Sequence, residues 1–382
     1  MLNINQTHTT DNAFAEHYIK PEGVYALAHS VGPMCKASEQ ALHEHYLGPW
    51  QKAGGDAWPQ WLSQIDAFTL ALGKLLNAEQ ESFCPQPSVS LGFSQWLAAT
   101  AKNRVDKTRN KVVLHEEAFA SLGFAVQGLC DVYHLQLELV SFEPNDMQAW
   151  DHTLSQKNVF ATLITHAFSN TGQLSKVDEI INIAQKYSVL TAVDIAQSVG
   201  IIPIDIKQWQ ADCVVGSCVK WLSGGPGAAF LYIAPEHISA LKPEHLAWFS
   251  HENPFEFDIR DFRPASSALR FWGGTPAIAP YCMAAAAIQT VLRFGVDKLR
   301  AHNLALMQHF MDAYPHDLPS HYKQQQFSGS LCLPLSQQQK TDAEQVFAKE
   351  KVKCDFRECS VRLSFGLIND INDVERVLLA FK

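Results

Sequence analysis

Residues 211–234 read ADCVVGSCVKWLSGGPGAAFLYIA. Two apolar runs, ADCVVGS (211–217) and AAFLYIA (228–234), flank a segment with one lysine, Lys220, and a cluster of glycines at 224, 225 and 227. Each run has the length and composition of a buried strand, and the glycines predict a sharp turn between them. Lys220 is then either a solvated loop charge or an amine set deliberately at the end of a strand.

Upstream, the pattern alternates. ATLITHAFSN (161–170) is β-rich, VDEIINIAQKY (177–187) places Ile180, Ile181, Ile183 and Ala184 on one helical face, and SVLTAVD (188–194) is a short buried strand. Apolar strands separated by helical segments predict an α/β fold with a parallel or mixed sheet, in which ligands bind beyond the carboxyl ends of the strands. Downstream of Pro264 the pattern changes. Residues 279–314 read as helices broken near Gly295, followed by an α+β tail with strands GSLCLPL (329–335) and CSVRLSF (359–365) and a closing helix, DVERVLLAF (373–381). The expected organisation is an N-terminal segment (1–55) packing on a small domain, a large domain (56–275), and linking helices with the small C-terminal domain (276–382).

The bulk numbers bound the function. The chain has 382 residues, 47% hydrophobic and 18% charged, enough for a sizeable core in two or three domains. A formal net charge of −9 argues against a general nucleic-acid or anionic-membrane surface. The nine cysteines include no C-x-x-C pair, and the closest, Cys213/Cys218 and Cys354/Cys359, lack a histidine at ligand spacing. Reduced thiols, a cytoplasmic location and no metal site are expected. The opening MLNINQTHTTDNAF (1–14) has no basic n-region before an apolar core, and no apolar run reaches the roughly 18 residues of a membrane span.

Asp194 ends one of these strands, 26 residues before Lys220. A carboxylate there is costly to bury unless it caps a helix at 195–199 or meets a cation. Paired with Lys220 it supplies two parts of a pyridoxal phosphate site: an amine to condense with the aldehyde and a carboxylate to keep the pyridine nitrogen protonated. Hydroxyls such as Ser217, with backbone N–H groups, hold phosphate in such sites, and an aromatic ring covers the cofactor. The competing S-x-x-K reading of Ser217 and Lys220, an acyl-enzyme serine, needs K-T-G and S-D-N motifs that the chain lacks.

THAFSNTGQL (165–174), AVDIAQSVGIIPID (192–205) and GSCVKWLSGGPGAAFLYI (216–233) resemble the class V branch of fold-type I pyridoxal-phosphate enzymes. VYALAHSVGPM (24–34), HEEAFAS (115–121), AWFSHE (247–252) and CDFRECSVRLSF (354–365) resemble segments of kynureninase in the same order, across nearly the whole chain. The resemblance implies a large domain with a mostly parallel sheet, a small α+β domain, pyridoxal 5'-phosphate as cofactor, an amino-acid substrate and a homodimer. It implies that Lys220 is the Schiff-base lysine and proton carrier at Cα, and that Asp194 pairs with the pyridine nitrogen. Phe119 would stack on the ring, Leu91, Gly92 and Ser217 would hold phosphate, and Asn170 and Gln197 would face the cofactor. Trp248 and Thr275 would reach the neighbouring subunit's phosphate. Arg362 would clamp the substrate carboxylate, the alternative being a solvated strand arginine, while Arg357 would make a structural ion pair.

The sequence departs from kynureninase where that family has tyrosine before the lysine (here Val219), histidine in D-x-x-H (Gln197), aspartate in F-P-S-D (Leu122) and S-N-P-P (Gly274-Thr275-Pro276-Ala277). The missing tyrosine is linked to proton transfer in that family. His29, Ser30 and His251 are candidates by position for substrate contact or proton donation. Three functions follow: kynureninase-like hydrolysis of L-kynurenine or a related β-acyl amino acid; another class V reaction such as transamination, epimerisation or desulfuration; or a non-catalytic relative that binds cofactor. Desulfuration needs a flexible cysteine, whereas Cys354 and Cys359 read as strand residues.

Overall fold

A computed structural model describes residues 13–382; most of the opening stretch 1–14, read above as lacking a signal pattern, lies outside the described residues. In chain order the strands are β1 (Val24–Tyr25), β2 (Phe83–Gln86), β3 (Lys111–His115), β4 (Gln136–Val140), β5 (Val159–Thr165), β6 (Leu190–Asp194), β7 (Cys213–Ser217), β8 (Ala229–Ile233), β9 (Leu331–Pro334), β10 (Val352–Lys353), β11 (Asp355–Phe356) and β12 (Ser360–Leu363). The main sheet has the order β2-β8-β7-β6-β5-β3-β4. Strands β3 to β7 pair in parallel; β8 pairs antiparallel with both β7 and β2, so it alone runs against the rest. The α/β class, with a mostly parallel sheet, is thus as the alternating pattern requires.

Burial explains the apolar runs. Every residue of β5 and β8 is buried, as strands covered on both faces must be. The helix Val177–Lys186 buries Val177, Ile180, Ile181 and Ala184 along one stripe, leaving Ile183 half-buried beside it. Between β7 and β8 the chain reverses through Gly225 and Gly227, at φ +78° and +90°, a region that L side chains rarely adopt.

Two cores divide the molecule. The first joins the main sheet, the helices Trp58–Leu76 and Val89–Asn103, and the helix Ala279–Phe294. The second is built from Leu306, Met307, Phe310, Leu331, Phe347, Val361, Phe365, Val374 and Phe381, with Val24 and Ala26 of the N-terminal segment. That segment serves both cores: β1 pairs in parallel with β10, while Tyr18, Tyr25 and Cys35 pack into the first. Strands β11-β12-β9 form an antiparallel sheet in the second core, and Gly295 separates the helices Ala279–Phe294 and Val296–Ala313. Among the described residues no helix is long and apolar enough to cross a membrane, and no group of three or more His, Cys, Asp or Glu could hold a metal.

Candidate active site

Because only β8 is reversed, β2, β3, β5, β6 and β7 all end on the same edge. The segments after them carry Ser88 to Gly92, Phe119, Asn170, Asp194 with Gln197, and Ser217 with Lys220. Asp194 lies in register with Val215 of the neighbouring β7, five residues before Lys220.

Asp194 is buried. Its Oδ1 accepts the Ala196 N–H at 2.9 Å, and no hydrogen bond holds Oδ2 among the described residues. Residues 195–199 form turns rather than the helix weighed from sequence. Val199 and Gly200, the latter at φ +95°, do not let this short run continue as a helix. The cap reading is therefore half right: Asp194 caps a turn with one oxygen and keeps the other. Beneath the turn, buried His166 meets Ser198 Oγ at 2.8 Å, its pKa pushed down to about 3 by burial, so it is a neutral support. Sequence reading gave it no role.

Lys220 is half-buried, its Nζ 5.8 Å from the centroid of the Phe119 ring, and that ring is 52% exposed. Burial pushes the amine's pKa below its ordinary value; the Asp194 charge raises it and the Arg362 charge lowers it further. Burial pushes Asp194 up, opposed by the Ala196 N–H and by Lys220. The fold therefore shifts the amine towards its neutral, nucleophilic form relative to a solvated lysine. In Asp194→Asn the carboxylate that holds the amine up is gone. Lys220 is then expected to become neutral at lower pH than in the wild type. Borohydride trapping of pyridoxal phosphate on Lys220 across a pH series measures this, and an upward or absent shift would show that Asp194 does not act on the amine.

Arg362, on β12, is 4% exposed, so the solvated-arginine alternative falls. Its Nε donates to Asp355 Oδ2 at 2.8 Å, Nη2 donates to the same oxygen, and Nη1 donates to Ser169 O at 2.9 Å. Each terminal nitrogen keeps one further N–H, the pair that can grip a carboxylate end-on. Arg357 Nε lies 3.1 Å from Asp355 Oδ2, an ion pair on a half-exposed side chain. Asp355 and Ser169 were missed in the sequence, although the D-F-R spacing contained the first.

Other expected residues are placed less directly. Ser88 caps the helix Val89–Asn103: Leu91 N–H donates to Ser88 Oγ at 3.2 Å and Gly92 N–H to Ser88 O at 3.2 Å. The Ser88 and Ser90 hydroxyls lie 3.2 Å apart at this terminus, beside Leu91 and Gly92; they are groups of the kind that can hold a phosphate, and the sequence analysis did not name them. Ser217 Oγ accepts the Val219 N–H at 3.4 Å. Asn170 is exposed and donates to Glu117 Oε2 at 3.0 Å, an acidic partner not foreseen. Gln197 is half-buried on the Asp194 turn, and Ser30 is half-buried on the N-terminal turn. Trp248 sits among the rings of Trp58, Phe249, Phe255 and Phe257, and Thr275 is exposed. Neither meets Lys220 through any hydrogen bond or ring contact described within the chain.

Two sequence expectations are corrected. Both ring nitrogens of His251 lie 2.8 Å from main-chain carbonyls, those of Asn253 and Asp261, so it staples its own loop. Cys359 is exposed in the turn between β11 and β12 rather than in a strand; Cys354 is half-buried, its thiol pushed up to about 12 by burial.

Comparison with known proteins supplies the family. The aminotransferase class-V family model matches residues 94–377. Over 278 residues the chain is 29% identical to an uncharacterized aminotransferase, YcbU, of Bacillus subtilis (strain 168), covering 72% of this chain and 70% of that one. It is 24% identical over 324 residues to a kynureninase of Shouchella clausii, covering 79% and 73%, and 27% identical over 307 residues to a kynureninase of Deinococcus radiodurans, covering 78% and 72%. In structure it is similar to the apo cysteine desulfurase of Thermococcus onnurineus NA1 (TM-score 0.82, 19% identity, 94% of this chain and 93% of that one). It is equally similar to a C-DES mutant with glycine covalently linked to its PLP cofactor (TM-score 0.82, 17% identity, 94% and 96%). The residues here fit that cofactor: a desolvated amine, a buried carboxylate with one oxygen unengaged, an open aromatic ring and a serine-capped helix terminus share one edge. The chain belongs to the aminotransferase class-V family, as a kynureninase-like member of fold type I whose cofactor is pyridoxal 5'-phosphate.

Proposed function

We infer that the protein hydrolyses L-kynurenine or a closely related β-acyl amino acid, working as a homodimer. The observation that carries the amino-acid part is the buried Arg362, pinned on two edges with its end-on N–H pair remaining, its charge felt at Lys220. The acyl part is supported by the kynureninase-like segments along the chain and by the relatives named kynureninase.

Arg362 would hold the α-carboxylate while Lys220 takes and returns the proton at Cα. The bound cofactor supplies the electron sink at that carbon. Water adds to the γ-carbonyl carbon, the Cβ–Cγ bond breaks, the acyl fragment leaves as a carboxylic acid, and a proton delivered to Cβ completes alanine. The lowered pKa of Lys220 suits the first transfer, since only the unprotonated amine can accept. Ser88, Ser90 and Ser217 would hold phosphate, Phe119 would cover the ring, and Asp194 Oδ2 would meet the pyridine nitrogen.

The dimer is supported by an apolar surface. Leu246, Phe255, Phe257, Ile259 and Phe262 are exposed on the segment that carries Trp248, and apolar side chains gathered on one segment suit an interaction surface. A second copy covering this face would bring Trp248 and Thr275 towards the partner's phosphate.

One experiment tests both parts. Purified protein loaded with pyridoxal phosphate is given L-kynurenine, and anthranilate and alanine are measured, with sedimentation on the same preparation. Equimolar products from a species of twice the chain mass are expected; cofactor binding without products would overturn the reaction, and a monomer would overturn the shared site. A second reading, desulfuration, gains from the exposed Cys359, three residues before Arg362. Alanine formed from L-cysteine by the wild type, with the sulfur passing to the Cys359 thiol as a persulfide and leaving as sulfide when an external thiol reductant is added, and both products lost in Cys359→Ser, would establish it instead.

A further inference from the structure

The turn 28–32 runs between the carboxylate clamp and the lysine. On one side Leu27 bridges to Ser364, two residues beyond Arg362, and the His29 N–H donates to Ser364 Oγ at 3.1 Å. On the other, the Gly32 N–H donates to Val219 O at 2.8 Å. The approach is so close that a Cβ on Gly32 would lie 2.1 Å from Lys220 O, which only glycine permits.

His29, 1% exposed, is fixed in this turn. Its Nδ1 is 2.9 Å from Ser364 Oγ, whereas its Nε2 is buried without any hydrogen-bond partner among the described residues. Burial, then the charges of Arg362, Lys220 and Arg357, push its pKa well below 6.5, so the ring is neutral. Ser364 Oγ already accepts the His29 backbone N–H, and Nδ1 is the acceptor within reach of its own hydrogen. A neutral imidazole that accepts at Nδ1 carries its hydrogen on Nε2. The molecule thus keeps a buried N–H donor with no acceptor beside the two groups that would hold an amino acid, and such a group is costly unless something else completes it.

We propose that the His29 Nε2–H is the donor that holds the side-chain acyl oxygen of the substrate, with Ser364 as the positioning residue that fixes its tautomer. This rests on the reading of the substrate as a β-acyl amino acid. Arg362 accounts for the α-carboxylate, so the acceptor left for a neutral donor is an uncharged carbonyl oxygen. A donor there polarises the carbonyl that water attacks, and it lies on the turn bonded directly to Val219, where the resemblance leads one to expect a tyrosine hydroxyl and the chain has none.

The test uses the cofactor-loaded protein and two probes, L-kynurenine and its analogue with CH2 in place of the γ-carbonyl, with affinities measured by calorimetry. In His29→Phe, L-kynurenine is expected to bind about 10- to 100-fold more weakly while the analogue changes by less than about 3-fold. His29→Gln, which keeps an amide N–H, is expected to recover most of the difference. Equal weakening of both probes would reduce His29 to a structural residue and overturn the proposal. Independently, 15N-histidine NMR of the cofactor-free protein, assigned by the His29→Gln spectrum, is expected to show a protonated Nε2 and a bare Nδ1 near neutral pH. The reverse tautomer, or an imidazolium, would overturn the donor without any ligand. If the wild type binds neither probe, the proposed substrate and the acyl contact fall together, while the NMR result still decides whether His29 is a poised donor.

Discussion

Lys220→Ala is expected to fold, to bind pyridoxal phosphate reversibly and to capture none of it covalently. Borohydride treatment followed by peptide mass analysis should find the reduced adduct on Lys220 in the wild type and nowhere in the variant. Turnover should fall by at least the ~10²–10⁴-fold that a positioned proton carrier contributes, since the same amine handles the proton at Cα. Stability should not fall with it. The pKa of Lys220 is lowered in the folded state, chiefly by burial, so below the amine's ordinary pKa the fold works against its charged form, and truncation removes that cost. The thermal midpoint at neutral pH is therefore expected to hold or to rise. A reduced adduct on another lysine, or near wild-type turnover, would overturn the assignment of Lys220.

That amine was legible in the sequence for a physical reason. An isolated lysine between two largely apolar runs is unusual unless the chain holds its charge in check, and each run is one strand of the sheet, β7 and β8. Asp194 was legible for the same reason at the end of β6, and Phe119 through its segment. The helix Val177–Lys186 followed from its stripe. What the sequence concealed depends on pairings made far along the chain. Ser364 and His29 are 335 residues apart and meet because β1 and the turn after it lie against the small domain. Asp355 meets Arg362 because β11 and β12 pair with those residues in register, and strands as short as β11 carry almost no periodic signal. The same hairpin moves Cys359 from an expected strand to an exposed turn. His251 misled because a histidine in a recognised segment says nothing about its ring nitrogens, both of which its own loop consumes.

The site thus divides into groups that the fold satisfies and groups that it leaves unfinished. His166, His251 and Arg357 have partners and serve the scaffold. Lys220 with its desolvated amine, Asp194 with one unengaged oxygen, the open face of Phe119 and the Nε2 of His29 are incomplete without a ligand. Such incompleteness costs stability and persists where function needs it. The overall fold could not have separated these sets, because one scaffold supports many reactions.

Arg362→Leu should damage binding and stability by routes that can be separated. The substrate carboxylate would lose two charge-assisted hydrogen bonds, each worth ~1.5–3 kcal/mol, so KM is expected to rise on the order of 10²–10⁴-fold. The fold would lose the partner that neutralises Asp355. Arg362 is 5% exposed in its side chain and Asp355 26%. The loss should therefore be about 2–3 kcal/mol, somewhat below the ~3–5 kcal/mol of a fully buried pair broken from one side, with Arg357 still near to soften it. The double variant Arg362→Leu/Asp355→Leu removes the stranded carboxylate, so its urea midpoint should return towards the wild type while KM stays high. Asp355→Asn alone keeps the guanidinium but loosens one pinned edge; a rise in KM of about 10-fold with kcat little changed is expected. The two residues would then be distinguished by role, Arg362 as the group that touches substrate and Asp355 as the group that aims it. If Arg362→Leu left KM unchanged while lowering the urea midpoint, the guanidinium would be a structural tie between β12 and Ser169, and the carboxylate would need another partner.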